Sequence, residues 1–250
     1  MLLLMTTGCS LLSQVGLLES EPQVVTPKQD ELRPPRDGAI TVAVYQFADR
    51  TGQRRYSERI ASLSSAVTQG ADAYLIQALQ TVGRGSWFRV VERVGIDNLI
   101  KERQIIRQMR ELHEGPSARP VAPLLFAGMI IDGGIIGYDT NIITGGAGAR
   151  AFGFSAATEY RADLVTINLR AVSVSTGEIL VSVTVTKRIY SYMDRLGMLR
   201  FVEAGTVSME GEIGSSANDS INLAIQLGIQ SAVREMIEQG VNKGLWDFRN

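Results

Sequence analysis

Between Gly133 and Gly211 apolar and polar residues alternate for longer than the strands of a soluble domain sustain. Ile135–Ile143 and Ala151–Leu164 read as one hairpin across the turn Thr144–Arg150, and Val181–Met193 and Leu199–Gly211 as a second. Successive side chains of a strand point to opposite faces, so each ribbon acquires two different sides. In the first return strand Phe152, Phe154, Ala156, Tyr160, Ala162 and Leu164 share one face, opposite Glu159, Arg161 and Asp163. In the second hairpin Val181, Val183, Val185, Ile189 and Met193 oppose Ser182, Thr184, Thr186 and Arg188. Domain strands average about 5–6 residues, whereas a tilted strand that crosses a bilayer needs about 9–11. Length and two-sidedness predict a wall between lipid and water, with Phe152, Phe154, Tyr160, Leu164, Val183, Val185 and Ile189 toward lipid. Four strands do not close a barrel, so the prediction requires several copies of the chain.

The remaining sequence narrows the alternatives. A net charge of −1 lacks the electrostatic footprint of a nucleic-acid binder. The single histidine, His113, stands in a polar stretch, and one cysteine cannot form a Cys/His metal cluster. Apolar runs such as Leu124–Ile131 fall short of the roughly 18 residues of a membrane-spanning helix, so any crossing must be made of strands.

That cysteine, Cys9, follows Leu2-Leu3-Leu4-Met5-Thr6-Thr7-Gly8, which resembles the lipobox of a bacterial lipoprotein signal peptide. Thr6 stands where leucine is usual, and no Lys or Arg precedes the run; the alternative is a free thiol at a frayed terminus. The lipobox implies removal of residues 1–8 and acylation of Cys9, with no other cofactor expected. Several acyl chains hold firmly, since each buried CH₂ contributes about 0.8 kcal/mol. Ser10, where an inner-membrane retention signal would carry Asp, favours the outer membrane. Residues 9–37 hold four of the seven prolines among polar residues and read as a linker, with order expected from about Ala39.

An α+β architecture follows. Residues 38–132 form the first part of an α/β domain. It opens with a strand around Ile40, Val42 and Val44, and its helix carries Ala71, Tyr74, Leu75, Ala78, Leu79 and Val82 on one face. A short strand at Trp87–Arg93 precedes an amphipathic helix with Ile96, Leu99, Ile100, Arg103 and Ile106, and residues 114–123 are a loop. Hairpins at 133–164 and 181–211 leave this domain, residues 165–180 return to it, and residues 212–250 supply a helix ending before Gly240 and a tail. In the long return strand the greasy phase switches after Leu164 to Val165, Ile167, Leu169 and Ala171. A one-residue slip exchanges the faces of a strand, so a bulge or bend is expected where wall becomes domain; the alternative is a strand buried on both faces.

Enzymatic chemistry finds no constellation. Gly145-Gly146-Ala147-Gly148-Ala149 lacks the Lys-Ser/Thr ending of a phosphate loop and lies between strand-like segments. Asp132, Asp139, Glu159 and Asp163 are expected to face water inside a barrel.

Several words of sequence then resemble the CsgG family, the curli production and secretion channels of the outer membrane. They include Val42-Ala43-Val44-Tyr45, Asp49-Arg50-Thr51-Gly52-Gln53, Trp87-Phe88 and the run from Glu92 to Arg107. Gly134-Ile135-Ile136-Gly137-Tyr138, Gly145–Arg150, Asn168–Val172, Val174–Leu180 and Lys243-Gly244-Leu245-Trp246-Asp247 continue it, so that the resemblance runs from about Gly38 to Trp246.

The resemblance implies a ring of nine subunits, each giving four strands to one transmembrane barrel of thirty-six, about as large as such barrels are known to become. It further implies a periplasmic vestibule, passage of unfolded curli-type amyloid subunits without nucleotide hydrolysis, a periplasmic capping factor and an extracellular assembly factor. A constriction loop, here 53–66, is built in the family by Tyr, Asn and Phe; the matching positions are Tyr56 (after a short gap, Glu58 otherwise), Ser62 and Leu63. A Leu ring narrows and dries a pore without an aromatic face, and Ser hydrogen-bonds less than Asn. The alternative function is a lipid-anchored periplasmic binding or scaffold protein whose hairpins contact partners without forming a pore.

Overall fold

The computed structural model describes residues 32–52, 54–55, 64–65, 70–144, 159–193, 199–204, 212–214 and 217–248. Strands β1 (Ile40–Val44), β2 (Ala48–Asp49), β3 (Arg54–Arg55) and β4 (Ser64–Ser65) precede helix α1 (Ala71–Gly85). Then come β5 (Phe88–Val91), α2 (Ile96–Glu114) and a 3₁₀ turn at Gly115–Ser117. The long strands β6 (Met129–Thr144), β7 (Glu159–Ser173) and β8 (Ile179–Met193) lead to β9 (Leu199–Ala204), β10 (Glu212–Gly214) and α3 (Ala217–Asn242). The main sheet runs β10-β9-β8-β7-β6-β1-β5, with β2 beside β6; β1 is parallel to both its neighbours, and β6 to β10 are antiparallel.

One face of this sheet carries the core. Ile131, Ile135, Val165, Ile167, Leu169, Ala171 and Val181 meet Leu75 and Leu79 of α1 and Ile225, Ile229, Val233 and Met236 of α3 in one buried cluster. Helix α1 buries Ala71, Leu75, Ala78, Leu79 and Val82 of the stripe expected of it, with Tyr74 half-buried. Its regular dihedrals stop at Val82, and Gly83 turns left-handed at φ 57°. A side chain at Gly83 would also stand 2.5 Å from Cδ1 of Trp87, so the position requires glycine twice over.

Three expectations change. Helix α3 does not stop before Gly240 but continues to Asn242. Gly240 is instead the seat of Trp246, whose ring fills the space a β-carbon would take and whose Nε1 donates to Ile237 O at 2.9 Å. Helix α2 runs further than expected, to Glu114, and has no buried residue. Its arginines hold the return segment by backbone carbonyls, Arg103 donating to Ala122 O at 2.5 Å and Arg110 to Arg119 O at 3.1 Å. Ile105, Met109 and Leu112 stay exposed on it, and His113 is exposed in its last turn.

The third change concerns the expected linker, whose last residues belong to the domain. Pro35 bridges Phe248, Arg36 N donates to Asp247 O at 2.8 Å, and Trp87 Nε1 donates to Arg33 O at 2.9 Å. The Arg33 guanidinium lies 5.1 Å from the Phe248 ring centre, and the Trp87 ring meets Trp246 and Phe248 edge-on. Proline composition signals an extended path, and here that path is held by aromatic rings and edge hydrogen bonds rather than left in water. This clasp marks the foot of the domain, at the starting ends of β1, β5 and β6.

Candidate functional site

The long antiparallel ribbon β6–β9 is the feature to which the sequence assigned function, and its register sorts every residue by face. From Tyr160 to Ala171 β7 pairs with β8 without interruption: Ala171 with Val181, Leu169 with Val183, Ile167 with Val185, Val165 with Lys187 and Asp163 with Ile189. Directly paired residues share a face, so all of these lie on the side covered by α3, which packs on both strands. Val183 is 2% exposed and Ile189 0%.

This corrects the lipid-facing set. Val183, Val185 and Ile189 belong to the domain core or pack against it. Leu164, half-buried, is on the opposite face with its partner Arg188. Alternation alone identified each greasy side correctly but could not say that α3 covers one of them. Tyr160 pairs with Tyr192 and with Ile143. Phe152 and Phe154 lie outside the described residues. The hairpins therefore leave the core later than 133 and 181, near the row in which Thr140, Asp163 and Ile189 are paired.

The expected slip exists, in the neighbouring strand. No irregularity interrupts β7 across Leu164; the register shift falls between Ile135 and Gly137 of β6, leaving Ile136 as the extra residue, 45% exposed. On β6 the core-facing parity consequently changes from Ile131 and Ile135 to Tyr138. In β7 itself the dry side changes because the cover changes: α3 lies on Val165, Ile167 and Leu169, while Ala162 and Leu164 are apolar on the other face.

That uncovered face is polar near the foot. Arg170 ion-pairs with Asp132, and Arg50 reaches Asp132 at 3.9 Å. Asn168 Nδ2 donates to Val183 O at 3.0 Å and to Thr184 Oγ1 at 3.2 Å, and the Thr166 and Thr186 hydroxyls are 3.1 Å apart. Further up, Asp139, Leu164 and Arg188 pair across three strands, then Asn141, Ala162 and Tyr190, so that apolar and polar residues are mixed in each row. Of the four acids expected to face water in a lumen, Asp163 is fully buried, its Oδ1 accepting from Tyr138 Oη at 3.1 Å, and Asp132 is ion-paired. Asp139 is exposed. A buried carboxylate inside an apolar alternation was not legible, because its spacing equals that of a lumen residue.

The upper half of β6 has a free edge. Its outer side pairs with β1 at Met129–Ile131 and with β2 at Gly134–Ile135, and Arg50 N donates to Ile135 O at 2.8 Å. From Ile136 to Thr144 no strand among the described residues pairs with it on that side.

The candidate constriction residues Tyr56, Ser62 and Leu63 lie outside the described residues, as does Cys9. The base of their loop is described: Arg54 pairs with Ser65 and Arg55 with Ser64, so residues 56–63 leave and return at one place. The glycine-rich segment joins β6 to antiparallel β7 and so connects a hairpin. Among the described residues no group of His, Cys, Asp and Glu is placed to hold a metal, and no helix is long and apolar enough to cross a membrane.

Residues 24–250 match the family model described as the curli production assembly/transport component CsgG. The chain is 41% identical over 221 residues to the protein of that name from Salmonella typhimurium, spanning 87% of this chain and 77% of that one. It is 40% identical over 221 residues to the Escherichia coli protein, with the same coverage of 87% and 77%. Among solved structures, a PelC dodecamer from Paraburkholderia phytofirmans aligns over 78% of this chain and 86% of that one at 11% identity and TM-score 0.32. A putative neuraminyllactose-binding hemagglutinin homolog from Helicobacter pylori gives 11% identity and TM-score 0.38 over 86% of this chain and 91% of that one. Similarity at this level carries no structural argument.

Proposed function

The chain belongs to the CsgG family of curli production assembly/transport components, and from that premise we propose that it is a secretion channel of the bacterial outer membrane. Copies of the chain, nine by the family resemblance, join their sheets edge to edge into one barrel. The observation that carries this is the outer edge of β6 from Ile136 to Thr144, where no strand among the described residues pairs with it. An exposed strand edge is a template for pairing with another chain, and closure into a barrel abolishes it. In a bilayer it must be paired, because unsatisfied backbone groups cost several kcal/mol each.

Unfolded curli-type subunits pass without nucleotide hydrolysis, and the protein catalyses no reaction. A lipid on Cys9 ties the periplasmic domain to the membrane, and residues 56–63 narrow the passage with Tyr56, Ser62 and Leu63. A periplasmic capping factor and an extracellular assembly factor complete the pathway. The pairing of β3 with β4 at the base of this segment supports the reading.

The test is reconstitution of the lipidated protein. Ring oligomers in detergent and stepwise conductance in planar bilayers are expected, with larger conductance in Tyr56→Ala. Monomers without conductance would overturn the channel; unchanged conductance in Tyr56→Ala would move the constriction to other residues.

A further inference from the structure

We propose that helix α2 is an arm that grips the next subunit of the ring, seating Ile105, Met109 and Leu112 against Ile179 and Leu245 of that second copy. The inference rests on the channel reading and names the domain half of the joint between its subunits. A helix draws most of its stability from packing an apolar face, yet α2 has no buried residue, and of the other elements only the 3₁₀ turn packs closely on it. Its arginines are turned to the return segment, Arg103 to Ala122 O and Arg110 to Arg119 O. Ile105, Met109 and Leu112 follow one another at i, i+4 and i+7, so they form one exposed apolar stripe. A contiguous stripe of this kind marks an interaction surface.

The order of the sheet says what covers it. Helix α2 follows β5, the last strand on the side of β6 away from β7. That is also the side on which no described strand pairs with Ile136–Thr144, so a copy joined there stands beside α2. What this copy brings to the seam is the opposite end of its own sheet. At domain level that end is the start of β8, because β9 pairs with β8 only from Arg188 onward and no strand among the described residues pairs with Ile179–Lys187 on that side. Ile179 is exposed there, and Lys243 Nζ donates to Leu180 O at 3.0 Å, which sets the turn carrying the exposed Leu245 beside it. Each chain therefore offers an apolar stripe at one end of its sheet and an apolar corner at the other. A joint of two unlike surfaces repeats from copy to copy until the ring closes.

Two tagged forms of the full lipidated chain are produced in the same cells, one with Met109→Cys and the other with Ile179→Cys, and the rings extracted in detergent are treated with a short bismaleimide. Cross-linked dimers carrying both tags are expected. In a second measurement Met109→Glu should lower the fraction of chain in rings about tenfold, because a carboxylate buried in that seam has no partner. Adding Ile179→Lys to the same chain should restore the rings, since each new carboxylate then meets an ammonium of the next copy. Conducting rings that yield no such dimer, or that form equally well with Met109→Glu, overturn the joint and leave the channel standing. So does Met109→Cys cross-linked to residues 9–31, or to a separate capping factor, in place of a second copy. Wild-type monomers that do not conduct overturn both.

Discussion

Gly240→Ala should destabilise this protein even though it replaces glycine by the best helix former. In an unobstructed helix the exchange stabilises by at most about 1 kcal/mol. Here the new methyl would enter the space held by the Trp246 ring, and that ring cannot withdraw freely. It is 9% exposed, its Nε1 is bonded to Ile237 O, and its centre stands 6.5 Å from that of Trp87. Inserting a methyl into such packing costs about 1–3 kcal/mol, so the net loss should be about 1–2 kcal/mol. For a chain of this size that lowers Tm by about 2–8 °C. The sign should reverse once the ring is gone: Trp246→Ala itself costs about 3–5 kcal/mol, but adding Gly240→Ala to it should recover about 0.5–1 kcal/mol. Melting the four variants in detergent, followed by far-ultraviolet circular dichroism, completes the double-mutant cycle. A coupling of about 2 kcal/mol is expected. If Gly240→Ala has the same effect in both backgrounds, Trp246 is not what requires the glycine.

Further outcomes follow from the same structure. Tyr138→Phe removes a donor to the buried Asp163 and should cost about 1.5–3 kcal/mol; a change under about 0.5 kcal/mol in denaturant titration would refute a structural role for that hydrogen bond. Leu112→Glu, at a position 76% exposed, should leave melting within about 0.5 kcal/mol of wild type; a larger loss would mean that α2 packs against something within its own subunit. Phe248→Ala should open the clasp and speed tryptic cleavage after Arg36 about 5–30-fold, measured by mass spectrometry of the released fragment; unchanged cleavage would show that the rings do not hold the strap.

Periodicity carried most of the fold. The stripe from Ala71 to Val82 and the alternation of Val165, Ile167 and Leu169 were legible because burial repeats at the spacing of the element. Partnership was not. Val183 and Ile189 look the same whether lipid or α3 covers them, and only the β7–β8 register separates them from Leu164. The slip between wall and domain announced itself in the composition of β7 but lies in β6, because pairing lets one strand keep its phase while its neighbour changes. Gly240 read as a helix stop because a ring arriving from six residues downstream leaves no local mark. The loop of Tyr56, Ser62 and Leu63 was found by resemblance, not by pattern, since no element periodicity crosses it.

The aromatic clasp also fixes where the proposed membrane tether would start. Leu32 packs against the core and its neighbour Arg33 accepts from Trp87 at the foot, whereas the row of Leu164 lies near the other end of β6 and β7. Counting rows along the sheet, and equally the length of α3, the climb between them is about 40 Å. A slack chain of the length between Cys9 and Leu32 has an average span of about 24–29 Å, although its full reach is about 80 Å. A lipid on Cys9 would therefore hold that stretch under tension and draw the foot of each domain toward the bilayer. Tether length then becomes a gauge: fewer than about 12 residues could not make the climb at all.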